Sequence, residues 1–482
     1  MPGMRWDQPQ KLRIKTGGSI IKSLMLILIC LTGMQGLSQQ PLQVAANKRY
    51  FETSDGRPFF WLGDTGWLLF VKCSREETIQ FLDARKQQGF NVIQVMVLHS
   101  LSVKNVYGAQ ALENGDISRP RQTPGNDYRN INAYDYWDHV EWVVQEARKR
   151  GIYMALVAVW GSNVKDGKVS VKGATAYAKF LANRFAKYPN IIWLNGGDIK
   201  GSDGLPVWQA IGKTIKKYDP HHLMTFHPRG RYTSSDWFQT APWLDFNMFQ
   251  SGHRNYAQDT TSGEKHHFGE DNWRFVKNDL ALTPAKPTLD GEPSYEHIPQ
   301  GLHDSLQTRW QAADLRRYAY WSVFAGAAGF TYGDNAIMQF HTMGKTGGAY
   351  GVRENWKEDL YAPGASQMHI LKDLMLSVDY LSRRPAQEII ADNNQTKYDF
   401  ILATKGRNFA MAYTFTGRNF SVNMDRLGFQ PSKVCWFSPA SGKRTELSLN
   451  KTGRVVKFDP PGEPANGNDW VLILYAAKEV NK

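Results

Sequence analysis

From Phe59 onward the chain alternates, eight times over, between short apolar runs and stretches of helical spacing. Strands separated by helices pair in parallel, and eight of them close into a (β/α)8 TIM barrel, an α/β fold. The runs are Pro58 to Gly63, Phe90 to Leu98, Tyr153 to Trp160, Ile191 to Leu194, Leu223 to Phe226, Leu244 to Phe249, one opening at Thr288, and Gly329 to Tyr332. Phe90 to Leu98 and Tyr153 to Trp160 read as continuous apolar runs, as strands covered on both faces do. Ser74 with Glu77 forms a capping box that opens a helix, and Gly89 stops it. Further helices are predicted over Tyr134 to Arg150, Ala174 to Tyr188, Val207 to Tyr218, Trp273 to Leu282, Leu306 to Ala325 and Gln367 to Val378.

Past Arg384 the texture changes. Phe400 to Thr404, Phe409 to Thr414, Lys433 to Ser438, Val455 to Phe458 and Trp470 to Tyr475 read as short strands between Gly, Asn and Pro turns. That pattern predicts a C-terminal β-sandwich. The expected organisation is a signal peptide over 1–38, a barrel domain over 39–383 and the sandwich over 384–482.

The signal peptide follows from a basic stretch between Lys11 and Lys22 and an apolar core from Leu24 to Leu31. Gly36, Leu37 and Ser38 then precede Gln39. The core is too short to span a bilayer. Cys30 fits a lipoprotein poorly, because Ile29 precedes it. An exported protein, periplasmic or extracellular and without a membrane span, is expected. Removing the leader lowers the net charge from +13 to +9, a balance that tolerates anionic glycans. The charges are scattered and form no basic patch, so nucleic acid is not an expected partner. Cys73 and Cys435 fall one in each predicted domain and are expected to be unpaired.

Chemistry points to the strand ends, where barrel enzymes carry their active sites. Ile191 to Asp198 and Pro287 to Glu292 are apolar runs ending on a carboxylate in a Gly-containing turn, 94 residues apart. That spacing puts Asp198 on the fourth strand and Glu292 on the seventh, facing each other across the barrel mouth. Paired carboxylates of unlike pKa are what glycoside hydrolysis needs. Around them the other strand ends supply a polar, aromatic ring suited to sugar hydroxyls and ring faces. It comprises Asp64, Trp67, His99, Trp160, Asn195, His227, Gln250, Tyr295, Tyr332 and Asp334. Asp64 follows a buried run, so it must be paired or bind something polar. Glu296 is a rival to Glu292 as nucleophile and a further candidate for substrate binding. Aromatic residues make up 13% of the chain, with 16 Trp, a supply suited to stacking on sugars.

Other chemistries fit poorly. His221 with His222 and His266 with His267 are adjacent pairs whose side chains diverge, so no metal is expected. No HExxH, GxSxG or GxGxxG pattern is present. No cofactor is expected, because two carboxylates and a water suffice.

Four segments occur in order: Gly56 to Trp67 (GRPFFWLGDTGW), Gly89 to Val95 (GFNVIQV), Ile191 to Asp198 (IIWLNGGD) and Pro287 to Glu296 (PTLDGEPSYE). Together they resemble the apiosidase-like glycoside hydrolases, exported bacterial enzymes related to the retaining (β/α)8 clan. The resemblance spans about residues 42–380. The tail resembles the small β domain that follows this catalytic domain, sometimes labelled collagen-binding. The resemblance implies that Asp198 is the acid/base, that Glu292 is the nucleophile, and that the substrate is a β-linked apiose in the pectin rhamnogalacturonan II. In the wider clan the acid/base is commonly a Glu directly after Asn. Here Asn195 is followed by two glycines and then Asp198, so a shorter acid must reach from a differently shaped turn. The alternatives are a hydrolase of another polysaccharide or oligosaccharide, and a non-catalytic glycan- or matrix-binding protein.

Overall fold

The computed structural model describes residues 39–477 apart from 131, 261, 345–346, 393 and 449–452. The expected leader lies outside the described residues. Eight parallel strands build the barrel: β1 (Trp61–Thr65), β2 (Val92–Met96), β3 (Tyr153–Val157), β4 (Ile191–Ile199), β5 (Met224–Pro228), β6 (Asn247–Gln250), β7 (Thr288–Asp290) and β8 (Gly329–Tyr332). Parallel ladders run from β6 through β7, β8, β1, β2 and β3 to β4 and β5. The remaining seam, between β5 and β6, is joined by the Asp245 amide donating to the Met224 carbonyl at 2.8 Å and the Thr225 hydroxyl donating to the Phe246 carbonyl at 2.6 Å.

The helices on the outside are α1 (Arg75–Gln87), α2 (Tyr136–Lys149), α3 (Val171–Phe185), α4 (Leu205–Tyr218), α5 (Trp273–Leu280), α6 (Ala312–Phe324) and α7 (Pro363–Leu376). The Ser74 and Glu77 capping box forms at the start of α1, and Asp135 with Asp138 makes a second one on α2. Both satisfy amide groups that the first helical turn leaves without partners. The long helix predicted from Leu306 instead begins at Ala312. Residues 298–310 are consumed by a hairpin-like pairing, with the Trp310 amide on the Ile298 carbonyl and the Gln300 amide on that of Thr308.

Period-two geometry divides strands β3 and β4 between two apolar clusters. Tyr153, Ala155 and Val157 on β3 and Ile192 and Leu194 on β4 share one. Met154, Leu156, Ile191 and Trp193 join the helices in the other. This double covering is why the strands read as apolar runs.

The tail is a sandwich. Its six-stranded antiparallel sheet has the order Arg384–Pro385, Leu402–Lys405, Phe409–Thr414, Trp470–Ala476, Pro431–Phe437 and Arg444–Leu447. A two-stranded sheet, Phe420–Asn423 with Val455–Phe458, covers one face. Ala410, Ala412, Leu472 and Leu474 face that inner core. Phe409, Met411, Tyr413 and Ile473, on the opposite face, belong to the same apolar cluster as barrel residues. Tyr320 of α6 stacks on Tyr413 with ring centres 4.9 Å apart, and Trp273 of α5 stacks on Phe400 at 4.5 Å. Arg316 of α6 makes a bidentate pair with Asp469 at 2.9 and 2.8 Å. Cys73 and Cys435 are both buried and unbridged.

Candidate active site

Asp198 stands at the end of β4 on an unusual piece of backbone. Gly196, Gly197 and Asp198 have φ values of 84°, 109° and 48°, three consecutive residues in the left-handed half of the backbone map. The register against β5 shifts between Gly196 and Ile199, so the strand bulges. A Cβ at Gly197 would lie 2.5 Å from the Trp160 ring, and one at Gly196 would lie 2.6 Å from the His227 carbonyl oxygen. The two glycines are therefore required by conformation and by space. They turn the chain so that the shorter acid meets the cavity. A non-glycine residue in this region carries strain, and such residues cluster at functional sites.

Glu292 follows β7. Gly291 before it donates its amide to the Phe249 carbonyl at 2.9 Å, and its own carbonyl accepts from Gln94 Nε2 at 2.7 Å. The carboxylate meets two imidazoles. His253 Nε2 donates to Oε1 at 3.2 Å, and His227 Nε2 stands 3.3 Å from Oε2 without hydrogen-bond alignment.

Both acids line a cavity of about 430 Å³. Its wall includes Trp67, Lys72, His99, Trp160, Gln250, His253, Tyr295, Gln339 and Tyr350. Trp67 donates from its indole N–H to the Tyr295 hydroxyl at 3.2 Å. His227 is enclosed by the Trp67 and Trp160 rings, with centres 5.3 and 6.1 Å away. It lies behind the cavity wall and touches Glu292 from there.

The two acids are pushed apart in pKa. Burial would raise Glu292, but the contacts with His227 and His253 outweigh it and bring the carboxylate down to about 2. Asp198 rises to about 6, through the surrounding protein and through the negative charge of Glu292. The Asp198 side chain is open to water on its cavity side. Its desolvation is thus partial in the free protein, and the repulsion by Glu292 acts beside it. A sugar seated over the acid would exclude that water and add to the shift. The pair is a proton-holding acid beside an ionised carboxylate, the division of labour that glycoside hydrolysis requires.

Several sequence candidates lie elsewhere. Asp64 is fully buried and pairs with Arg85 of α1 at 2.5 Å. It is in register with Ile93 on β2, and Ile93 belongs to the helix-side cluster. Asp64 thus points away from the barrel mouth. Asn195 is in register with Phe226, and its Nδ2 donates to the Trp208 carbonyl of α4 at 2.8 Å. Glu296 is not a rival nucleophile: it accepts from the Tyr332 hydroxyl at 2.6 Å and from the Gly364 amide at 3.0 Å. It caps α7, and Tyr332 is committed to it. Asp334 caps the short helix Asn335–Met338 through the amides of Ala336 and Ile337. Its other oxygen is 3.2 Å from His297 Nδ1, which also meets Asp359 at 3.1 Å. Asp290 accepts from the Ser251 hydroxyl at 2.6 Å and from Asn272 at 3.1 Å.

His253, Lys72, Gln339 and Tyr350 had escaped the sequence reading. His253, Gln339 and Tyr350 come from irregular segments and Lys72 from the four-residue helix Leu69–Lys72, and the only signal for His253 was its place in the long loop after β6.

The apiosidase-like catalytic domain model matches residues 45–382. A second model, described as "Putative collagen-binding domain of a collagenase", matches residues 384–475. No curated protein matches the chain. Among solved structures, one titled a glycoside hydrolase shares 43% identity at a TM-score of 0.86, covering 91% of this chain and 98% of its own. A glycoside hydrolase family 5 protein from Bacteroides vulgatus shares 42% identity at a TM-score of 0.84, with coverages of 90% and 94%.

Proposed function

This chain belongs to the apiosidase-like family of glycoside hydrolases, and on that premise we propose that it is an exported retaining enzyme cleaving a β-apiosyl linkage in rhamnogalacturonan II. The observation that carries the reading is the acid pair: Asp198 and Glu292 line one cavity, with the first raised in pKa and the second lowered.

In the first step the Glu292 carboxylate attacks the anomeric carbon while Asp198 gives its proton to the departing glycosidic oxygen. The product is a glycosyl ester on Glu292. Asp198, now ionised, takes a proton from water as that water attacks the same carbon. The carbon–carboxylate bond breaks, and configuration is retained over two inversions. His253 and His227 favour the ionised form of Glu292, which helps its departure in the second step. Trp67 and Trp160 offer aromatic surface to sugar C–H faces, and Lys72 and His99 bring polar groups to the same cavity. The apiosyl assignment is supported by the family match and by the shared motif segments.

The test is digestion of rhamnogalacturonan II fragments by the wild type and by Glu292→Gln, with products read by mass. Oligosaccharides bearing a new apiose reducing end, absent with the variant, are expected. If the wild type releases nothing from this pectin but cleaves another glycan, the apiosyl assignment fails and the hydrolase reading stands.

A further inference from the structure

The loop between Ser251 and Asn272 brings His253 to Glu292, yet its described residues form no helix or strand. Its position depends on what grips it. At one side Arg231 Nη1 donates to the carbonyls of Ser251 at 2.8 Å and Gly269 at 2.6 Å. At the other side the grip is Glu270, a fully buried carboxylate. Its Oε2 pairs with Arg317 of α6 at 2.5 Å, and its Oε1 accepts from the Tyr256 amide of the same loop at 3.2 Å. The remaining donor comes from the tail domain: the Tyr398 hydroxyl, 2.8 Å from Oε1. The rings of Tyr398 and Tyr256 are 5.5 Å apart, and Phe400 stacks on Trp273 where the loop enters α5.

We propose that Tyr398 is a positioning residue for catalysis: by donating its hydroxyl hydrogen to Glu270 it sets the loop that holds His253 against Glu292. The tail domain on this view completes the catalytic centre. The proposal rests on Glu292 being the nucleophile. It extends that reading by giving the tail a role in the chemistry. Removing the hydroxyl leaves a buried carboxylate with one donor fewer, a loss that such a group does not tolerate without shifting. The loop then relaxes at Tyr256 and moves His253.

The Arg316–Asp469 pair provides the control, since it joins α6 to the tail and has no bond to the loop. Full-length Tyr398→Phe and Arg316→Met are compared with the wild type. The His253 imidazole titration is followed by NMR in ligand-free protein, with its signal identified by loss in His253→Gln. The kcat and KM are measured on whichever glycan the wild type cleaves. Tyr398→Phe is expected to alter the His253 titration and to lower kcat about 10-fold or more, with KM unchanged. Arg316→Met is expected to lower the melting temperature alone. A folded Tyr398→Phe with wild-type His253 titration and wild-type kcat overturns the proposal, as does an equal change in both variants. Should Tyr398→Phe fail to fold, Phe400→Leu loosens the same loop through Trp273 and is judged by the same readouts. If the wild type cleaves no glycan, the hydrolase reading falls and the NMR comparison alone decides the positioning role.

Discussion

The backbone N–H of Asp198 points to Nδ1 of His227, 3.4 Å away. A donor needs a lone pair opposite it, so Nδ1 is the accepting nitrogen and Nε2 is the one left to carry hydrogen. That is the atom facing Glu292 at 3.3 Å. One imidazole therefore touches both acids, accepting from the backbone of Asp198 and standing close against the Glu292 carboxylate.

Replacing this ring with His227→Ala removes a partner of the ionised Glu292 carboxylate. The pKa of Glu292 then rises, and the acidic limb of kcat/KM moves to higher pH. A fall in kcat of about 10²-fold is expected, because the nucleophile loses a group that favours its ionised form and fixes its place. An unmoved acidic limb would show that His253 alone sets the charge of Glu292.

The pH profile of the wild type follows from the two shifts. Asp198 must hold its proton, and its raised pKa keeps that proton until about pH 6. Glu292 must be ionised, and its lowered pKa makes it so above about pH 2. Activity is expected between these limits, with kcat/KM falling as pH rises through the upper one. The two limbs belong to the interacting pair. Asp198→Asn should abolish the basic limb and cost about 10²–10⁴-fold in rate. A wild-type optimum near pH 9 would contradict the assignment of Asp198 as acid.

Gly197→Ala tests the bulge. The new methyl group meets the Trp160 ring at 2.5 Å and sits on a backbone at φ 109°. The conformational cost alone is about 1–2 kcal/mol. The bulge is expected to flatten and withdraw Asp198, so that kcat falls while circular dichroism stays native. Full activity in this variant would mean that the acid does not depend on the turn.

Arg85→Met tests the reassignment of Asp64. It strands a fully buried carboxylate, and loss of about 3–5 kcal/mol in unfolding free energy is expected. Substrate affinity of the folded fraction should not change, because Asp64 faces α1. Denaturant unfolding and KM measured side by side decide it. A KM change without a stability change would return Asp64 to the substrate site.

The barrel was legible because strands covered on both faces write themselves as apolar runs, and helices announce their caps, as at Ser74. The same double covering hid which face each strand residue takes. Asp64 and Asn195 occupy strand positions that face the helices, one residue out of step with the lumen, and no polar alternation marks that step. Glu296, Tyr332 and Asp334 sit at the right strand ends but are claimed by Gly364, by one another and by His297, partners that the fold alone brings near. His253 and Tyr350 lie on irregular segments and Lys72 on a helix of four residues, too short to show a period, so nothing in their spacing points to the cavity. The tail strands Phe420–Asn423 and Arg444–Leu447 escaped because they are short and rich in polar residues.

The tail sheet closes the barrel's apolar cluster with Phe409, Met411, Tyr413 and Ile473, and α6 answers with Tyr320 and Phe324. A break after residue 383 would therefore expose two raw aromatic faces. A change of shape on α6 at Tyr320 or Arg316 must be answered in the tail at Tyr413 or Asp469. Grafting the tail of a distant relative onto this barrel would join two surfaces that had never adjusted to each other.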